Sequence, residues 1–88
     1  MELPIQTLTT VDELGHPRSY HYSLLVDEIS AGSFIFEDYG IQVREENGDC
    51  VSIPGITTST TRINALIALL IKHGITPTTL PDVVADWV

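Results

Sequence analysis

The sequence predicts an α+β fold: a four-stranded antiparallel sheet in meander order, followed by two C-terminal helices packed on one of its faces. Three observations lead there. Over the first half, apolar residues alternate with polar ones, the period-2 pattern of half-buried strands. Asn47-Gly48 stands between two such runs, and this dipeptide is the strongest short-range hairpin signal. In the second half Ile63, Leu66, Ile67, Leu70 and Ile71 recur at helical spacing, which marks an amphipathic helix.

The elements follow in order. Ile5 to Val11 is rich in Thr and β-branched residues, and Gly15-His16-Pro17-Arg18 then breaks it with turn chemistry, so this is a first strand and its turn. Tyr20, Tyr22, Leu24 and Val26 alternate with His21, Ser23 and Leu25, which gives a second strand with one buried face. Ile29 to Ser33 is small and carries a Gly, as a hairpin connection does. Phe34 to Glu46 is a long third strand of uneven phase: Phe34 and Phe36 share one parity, Tyr39, Ile41 and Val43 the other. Either a β-bulge at Asp38-Tyr39-Gly40 shifts the phase, or the strand is apolar on both faces near its start. Asn47-Gly48 leads, through a type I′ turn, into a fourth strand, Cys50 to Ile53, which Pro54-Gly55 ends.

The hydroxyl run Thr57 to Thr61 offers N-caps for a helix from Thr61 to His73, and Gly74 suits the left-handed position after its end. A shorter helix, Leu80 to Trp87, has Thr79 as N-cap, Asp82 three residues on, and the stripe Leu80, Val83, Val84, Trp87. Two turns do not persist alone in water, so it must dock on the rest. The expected core is Tyr22, Leu24, Val26, Phe36, Ile41, Val43, Val51, Ile53, Ile63, Leu66, Ile67, Leu70, Ile71, Val84 and Trp87.

Composition narrows the function. The 88 residues have room for one core, hence a single domain over 1–88, and 43% hydrophobic against 18% charged residues is a globular balance. Twelve acidic against four basic residues give a net charge of -8, a field that repels nucleic acid and anionic lipid. Cys50 is the one cysteine, so no internal disulfide and no zinc quartet forms. The longest apolar run, Ala65 to Ile71, is too short to cross a bilayer, and the amino end has no basic segment followed by an apolar one. The expectation is a cytoplasmic protein with neither nucleic acid nor membrane as partner.

Two stretches, Tyr39-Gly40-Ile41-Gln42-Val43 and Ile75-Thr76-Pro77 with Leu80-Pro81-Asp82-Val83-Val84-Ala85-Asp86-Trp87, resemble a family of small bacterial proteins described only as a domain of unknown function. The likeness covers Tyr20 to Val88. The family's closing motif is similar to a Leu-Ser-Pro turn, His-Leu, then Asp-Val-Val-Glu-Asp-Phe-Leu. This chain has Thr79 in place of the His and Trp87 in place of the Phe, so no role of that histidine carries over. The resemblance implies an intracellular bacterial setting and a strand-rich half followed by two helices, and no activity.

Few residues invite chemistry. His16 and His21, with Asp12 or Glu13, match no metal-ligand spacing. His73 is explained by the helix dipole. In the pairs Glu37-Asp38 and Glu45-Glu46, neighbours along a strand point to opposite faces, so neither pair makes a carboxylate dyad, and they read as solvated or edge-guarding charges. Cys50 has no base beside it in sequence, and no serine sits in a nucleophile-elbow frame. No catalytic residue, cofactor or metal site is assigned. Thr58, Ser59, Thr60 and Arg62 at a helix start are the ingredients of an anion site, against the plainer reading that one hydroxyl caps the helix.

The helix Thr61 to His73 is more apolar than one sheet face requires: Ala65, Ala68 and Leu69 lie outside its main stripe. Ala65 and Leu69 are therefore candidate interface residues. The reading is a small acidic protein-interaction or regulatory module that self-associates as a homodimer and can also take another protein partner. The alternative is a small-anion-binding, small-ligand-binding or enzymatic domain built on residues 57–62.

Overall fold

In the computed structural model, which describes residues 1–88, four strands precede two helices: β1 (Glu2–Val11), β2 (Pro17–Ala31), β3 (Phe34–Glu45), β4 (Cys50–Thr57), α1 (Thr60–Lys72) and α2 (Leu80–Trp87). The sheet is antiparallel in the order β1-β2-β3-β4, the expected meander. One face of the sheet is covered. Tyr20 and Tyr22 of β2 and Ile41 and Val43 of β3 pack with Ile63, Leu66, Ile67 and Leu70 of α1 and Leu80 and Val84 of α2. Each side chain fully buried there contributes about 1.5–3 kcal/mol.

The first turn is organised by a carboxylate. Asp12 Oδ1 accepts the Leu14 and His16 backbone N–H groups at 2.9 and 2.8 Å, which lets Gly15 take a φ of 80°. Between β2 and β3 the connection is only Gly32-Ser33, flanked by the pair Ala31 and Phe34. A φ of 64° at Gly32 alone is the type II′ pattern. Consequently β2 runs to Ala31, well past the expected end at Val26. The β3–β4 turn sits where Asn47-Gly48 places it, but only Asn47 has positive φ, at 61°, so it is not the expected I′ turn. Four residues, Glu46 to Asp49, make the loop, closed by Glu45 N–H to Asp49 O at 2.8 Å.

The uneven phase of β3 has the second of its two explanations. Pairing between β2 and β3 runs unbroken through Asp38-Tyr39-Gly40, so β3 carries no bulge there and is apolar on both faces near its start. The irregularity lies across from it: Tyr39 pairs with Thr57 and Ile41 with Ile53, so the one intervening residue of β3, Gly40, opposes three of β4, Pro54 to Ile56. Gly55, at a φ of 66°, absorbs the excess, and Pro54-Gly55 bends β4 instead of ending it.

Ser59 caps α1, its Oγ accepting the Arg62 N–H at 3.2 Å. His73 follows as C-cap, and Gly74 at a φ of 59° turns the chain away. The linker to α2 is tied to the sheet where the Tyr22 hydroxyl donates to the Ile75 carbonyl at 2.8 Å. Thr79 stands at the N-cap of α2 as expected, yet its hydroxyl bonds back to Thr76 and makes no cap.

Six expected core residues are placed otherwise: Leu24, Val51, Ile53, Ile71 and Trp87 pack half-buried against the core, and Phe36 lies outside it. Phe36 is 40% exposed, because its parity belongs to the uncovered face of the sheet. Trp87 is half-buried at the core margin, with the Arg62 guanidinium 4.6 Å over its ring. Tyr20 and Leu80, absent from the expected core, are buried.

Candidate functional site

The anion candidates are mostly occupied by the helix start itself. Ser59 Oγ serves the cap, its own N–H donates to Thr57 Oγ1 at 3.1 Å, and Thr58 and Thr60 face water. Arg62 meets Ser59 through its backbone, while its guanidinium lies over Trp87. The four residues are brought near one another without converging side chains.

The histidines and acids resolve into separate contacts. His16 Nδ1 lies 3.7 Å from Asp12 Oδ2, whereas His21 shares a 2.9 Å hydrogen bond with Thr7 Oγ1 and approaches Glu46 at 3.8 Å. No three His, Cys, Asp or Glu side chains come together as a group able to hold a metal. Asp12 has its carboxyl held below the usual range, chiefly by the His16 N–H, then by the Leu14 N–H and Arg18. Arg18 is pushed up by its 2.6 Å bond to Glu45. Burial raises the Tyr22 hydroxyl, with Tyr20 adding to the effect.

On the uncovered sheet face, an irregularity in β1 between Pro4 and Gln6 opens a shallow cleft of about 450 Å³ bordered by Glu2, Thr7, His21, Ser23 and Arg44. Its polar groups satisfy one another: Ser23 Oγ donates to Glu2 Oε2 at 3.1 Å, and Thr7 pairs with His21. It offers no free buried donor or acceptor to a ligand.

The other candidate surface is apolar. β1 ends its pairing at Met1, whose ammonium donates to the Val26 carbonyl at 2.9 Å, and β4 ends its own at Tyr39. Beyond these points β2 and β3 continue alone as a two-stranded arm of five cross-strand pairs, from Asp27 with Asp38 to Ala31 with Phe34. At about 3.4 Å per residue it projects about 17 Å. The molecule measures 55 × 23 × 17 Å with a radius of gyration of 14.1 Å, against about 12 Å for a compact chain of this length.

Phe34 is 74% exposed and Ile35 67%, and with Phe36 they form the tip. At the root, Asp27 faces Asp38 and Glu28 faces Glu37. These carboxylates meet across the strands, 11 and 9 residues apart, where adjacency along one strand gives no sign of them. The expected interface residues Ala65 and Leu69 are also exposed on α1, Leu69 at 37%.

A family model described as a family of unknown function, DUF6514, matches residues 1–88, from β1 through α2. The chain belongs to this family. Membership in DUF6514 takes in β1, which the motif resemblance from Tyr20 onward had left out. No match to this DUF6514 chain was found among curated proteins or among solved structures. No helix of the DUF6514 fold seen here is long and apolar enough to cross a membrane.

Proposed function

We propose that this protein is a small protein-interaction module with a regulatory or adaptor role, that it self-associates as a homodimer, and that it works in the bacterial cytoplasm. The observation that carries the reading is the arm: Phe34 and Phe36 are exposed on one face of a projection, beside Ile29 and Ala31, and Ile35 on the other, and the rest of the chain covers none of the three. Leaving apolar surface in water costs about 25 cal/mol per Å², and contiguous exposed apolar surface on a small domain marks an interaction site. Leu69, with Ala65 and Ala68 beside it on α1, adds a second and smaller exposed apolar strip. The lone, exposed Cys50 accords with a reducing compartment.

The anion alternative has weaker support, because the Ser59 hydroxyl is committed to the cap and Arg62 to Trp87. Light scattering after size exclusion across the micromolar range tests the proposal. A mass above that of one chain, rising with concentration, is the expected result; a constant mass of one chain refutes self-association.

A further inference from the structure

We infer that the arm plugs into a different protein: its apolar tip enters a pocket of a partner whose rim carries lysine or arginine side chains. The inference rests on the interaction reading above and names the partner's chemistry. The self-association proposed there is left to the strip on α1.

The tip is shaped to enter a pocket. Ile29 pairs with Phe36 and Ala31 with Phe34 on one face of the ribbon, and Ile35 stands on the other. A flat surface would reach only one of these faces, whereas a pocket takes both. From Ile29 to Phe36 no residue is charged, so the tip lacks the charges that guard a projecting strand against contact.

The root selects the partner. Asp27–Asp38 lies on the face of Phe34 and Phe36, and Glu28–Glu37 on the face of Ile35, which sets two carboxylates on each side of the ribbon. Residues 27–38 thus carry a charge of -4, half of the net -8 of the chain. Elsewhere Asp12, Glu45 and Glu46 each meet an arginine or histidine of the chain within 3.8 Å, while the four carboxylates at the root meet none. Like charges directly opposite one another repel, and cations supplied from outside relieve that repulsion. A second copy would bring the same four carboxylates and add to it.

The apolar area is too small to act without the charge. At 74% and 40% exposure, the two phenylalanines offer about 230 Å², taking about 200 Å² for a full aromatic side chain. One side of a specific interface at the small end buries about 600 Å². Recognition therefore extends down to the root, where complementary charge fixes orientation and speeds encounter. From the Asp27–Asp38 pair to the Ala31–Phe34 pair is four residues, so the pocket is about 14 Å deep at 3.4 Å per residue.

The probe is an alternating Leu-Lys peptide of about ten residues, which as a strand presents apolar groups on one face and ammonium groups on the other. Ser-Lys and Leu-Glu repeats of the same length and phosphatidylcholine vesicles are the comparisons. Amide shifts of the full chain are followed by NMR in about 0.05 M and about 0.5 M NaCl. Expected are shifts within residues 27–38 on adding Leu-Lys, binding that weakens several-fold in the higher salt, and at least tenfold weaker binding of the other two repeats. Phe34→Ser/Phe36→Ser should abolish the shifts in 27–38, and Asp27→Asn/Glu28→Gln/Glu37→Gln/Asp38→Asn should remove the salt effect. Unmoved amides in 27–38, or a Ser-Lys or Leu-Glu repeat that binds as well as Leu-Lys, overturns the inference. Vesicles that shift the tip where the peptide does not overturn it in favour of lipid. Should the phenylalanine variant not fold, the carboxylate variant decides, and a salt effect that survives in it overturns the inference. Light scattering of the same samples separates this contact from self-association. A wild type with the mass of one chain that still binds Leu-Lys through the arm refutes self-association and supports the plug; a dimer that Phe34→Ser/Phe36→Ser breaks makes the arm the dimer contact and overturns the plug.

Discussion

Truncating Leu80 to Ala should destabilise the protein more than truncating Trp87, although the tryptophan is far larger. Leu80 opens α2 and is 0% exposed among the residues that α1 and the sheet bring together. A buried Leu→Ala change costs about 2–5 kcal/mol, rising with the cavity left behind. α2 has only two turns and can settle part-way into the space, so the expected cost is about 3 kcal/mol, inside that range. Trp87 is half-buried and stacked on Arg62. An exposed cation–π contact is worth about 0.5–1 kcal/mol, and partial burial adds about 1 kcal/mol, so Trp87→Ala should cost about 2 kcal/mol. For a domain of this size 1 kcal/mol moves Tm by about 4–8 °C. Leu80→Ala should therefore lower Tm by about 12–24 °C and Trp87→Ala by about 8–16 °C. Calorimetry or urea unfolding of the two variants measures the order. If Trp87→Ala is the more damaging, α2 docks through its last turn and the assignment to Leu80 is wrong.

Gly40→Ala should cost at least about 2 kcal/mol by urea unfolding, since an added Cβ would fall 2.5 Å from Pro54 Cα and closer still to the Ile53 carbonyl oxygen; a neutral outcome would mean that the β4 bend yields freely. Asp12 has a folded-state pKa depressed below its ordinary value by the His16 and Leu14 N–H groups and Arg18, so its stabilisation is present above the ordinary carboxylate pKa and lost as pH falls through the folded one. The urea midpoints of wild type and Asp12→Ala should accordingly differ at neutral pH and converge in acid, and a constant gap would contradict this. Glu28→Lys turns a like-charge cross-strand pair with Glu37 into an opposite-charge one worth about 0.2–1 kcal/mol; amide exchange across residues 29–36 should slow, and unchanged exchange would show the carboxylates too well solvated to matter.

Where local chemistry decides, the sequence was legible. Helix α1 shows its stripe, its hydroxyl cap and its Gly74 stop, and the structure differs from the expected bounds by one residue at each end. The β3–β4 hairpin announces itself at Asn47-Gly48. The length of β2 was not legible, because Asp27 and Glu28 interrupt its apolar alternation and resemble the start of a loop. Leu80 belongs to the visible stripe of α2, but its burial follows from how the chain after α1 returns to the sheet, where the Tyr22 hydroxyl donates to the Ile75 carbonyl across 53 residues of sequence.

The arm was within reach of arithmetic once the turn was fixed. A two-residue turn at Gly32-Ser33 makes residues whose numbers sum to 65 face one another, and 27 with 38 and 28 with 37 are then cross-strand carboxylate pairs. Placing the turn anywhere in Ile29 to Ser33 leaves that sum open and hides the pairing. Phe36 went astray for a related reason. A run such as Phe34-Ile35-Phe36, apolar on both parities, is the mark of a strand buried on both faces, and within one chain that means core. Here the run lies beyond the last residues of β1 and β4 that could flank it, and no helix reaches over it. The chemistry of the segment asks for burial that this chain by itself does not supply, which is why the arm, and not the expected strip on α1, is the stronger physical ground for a partner.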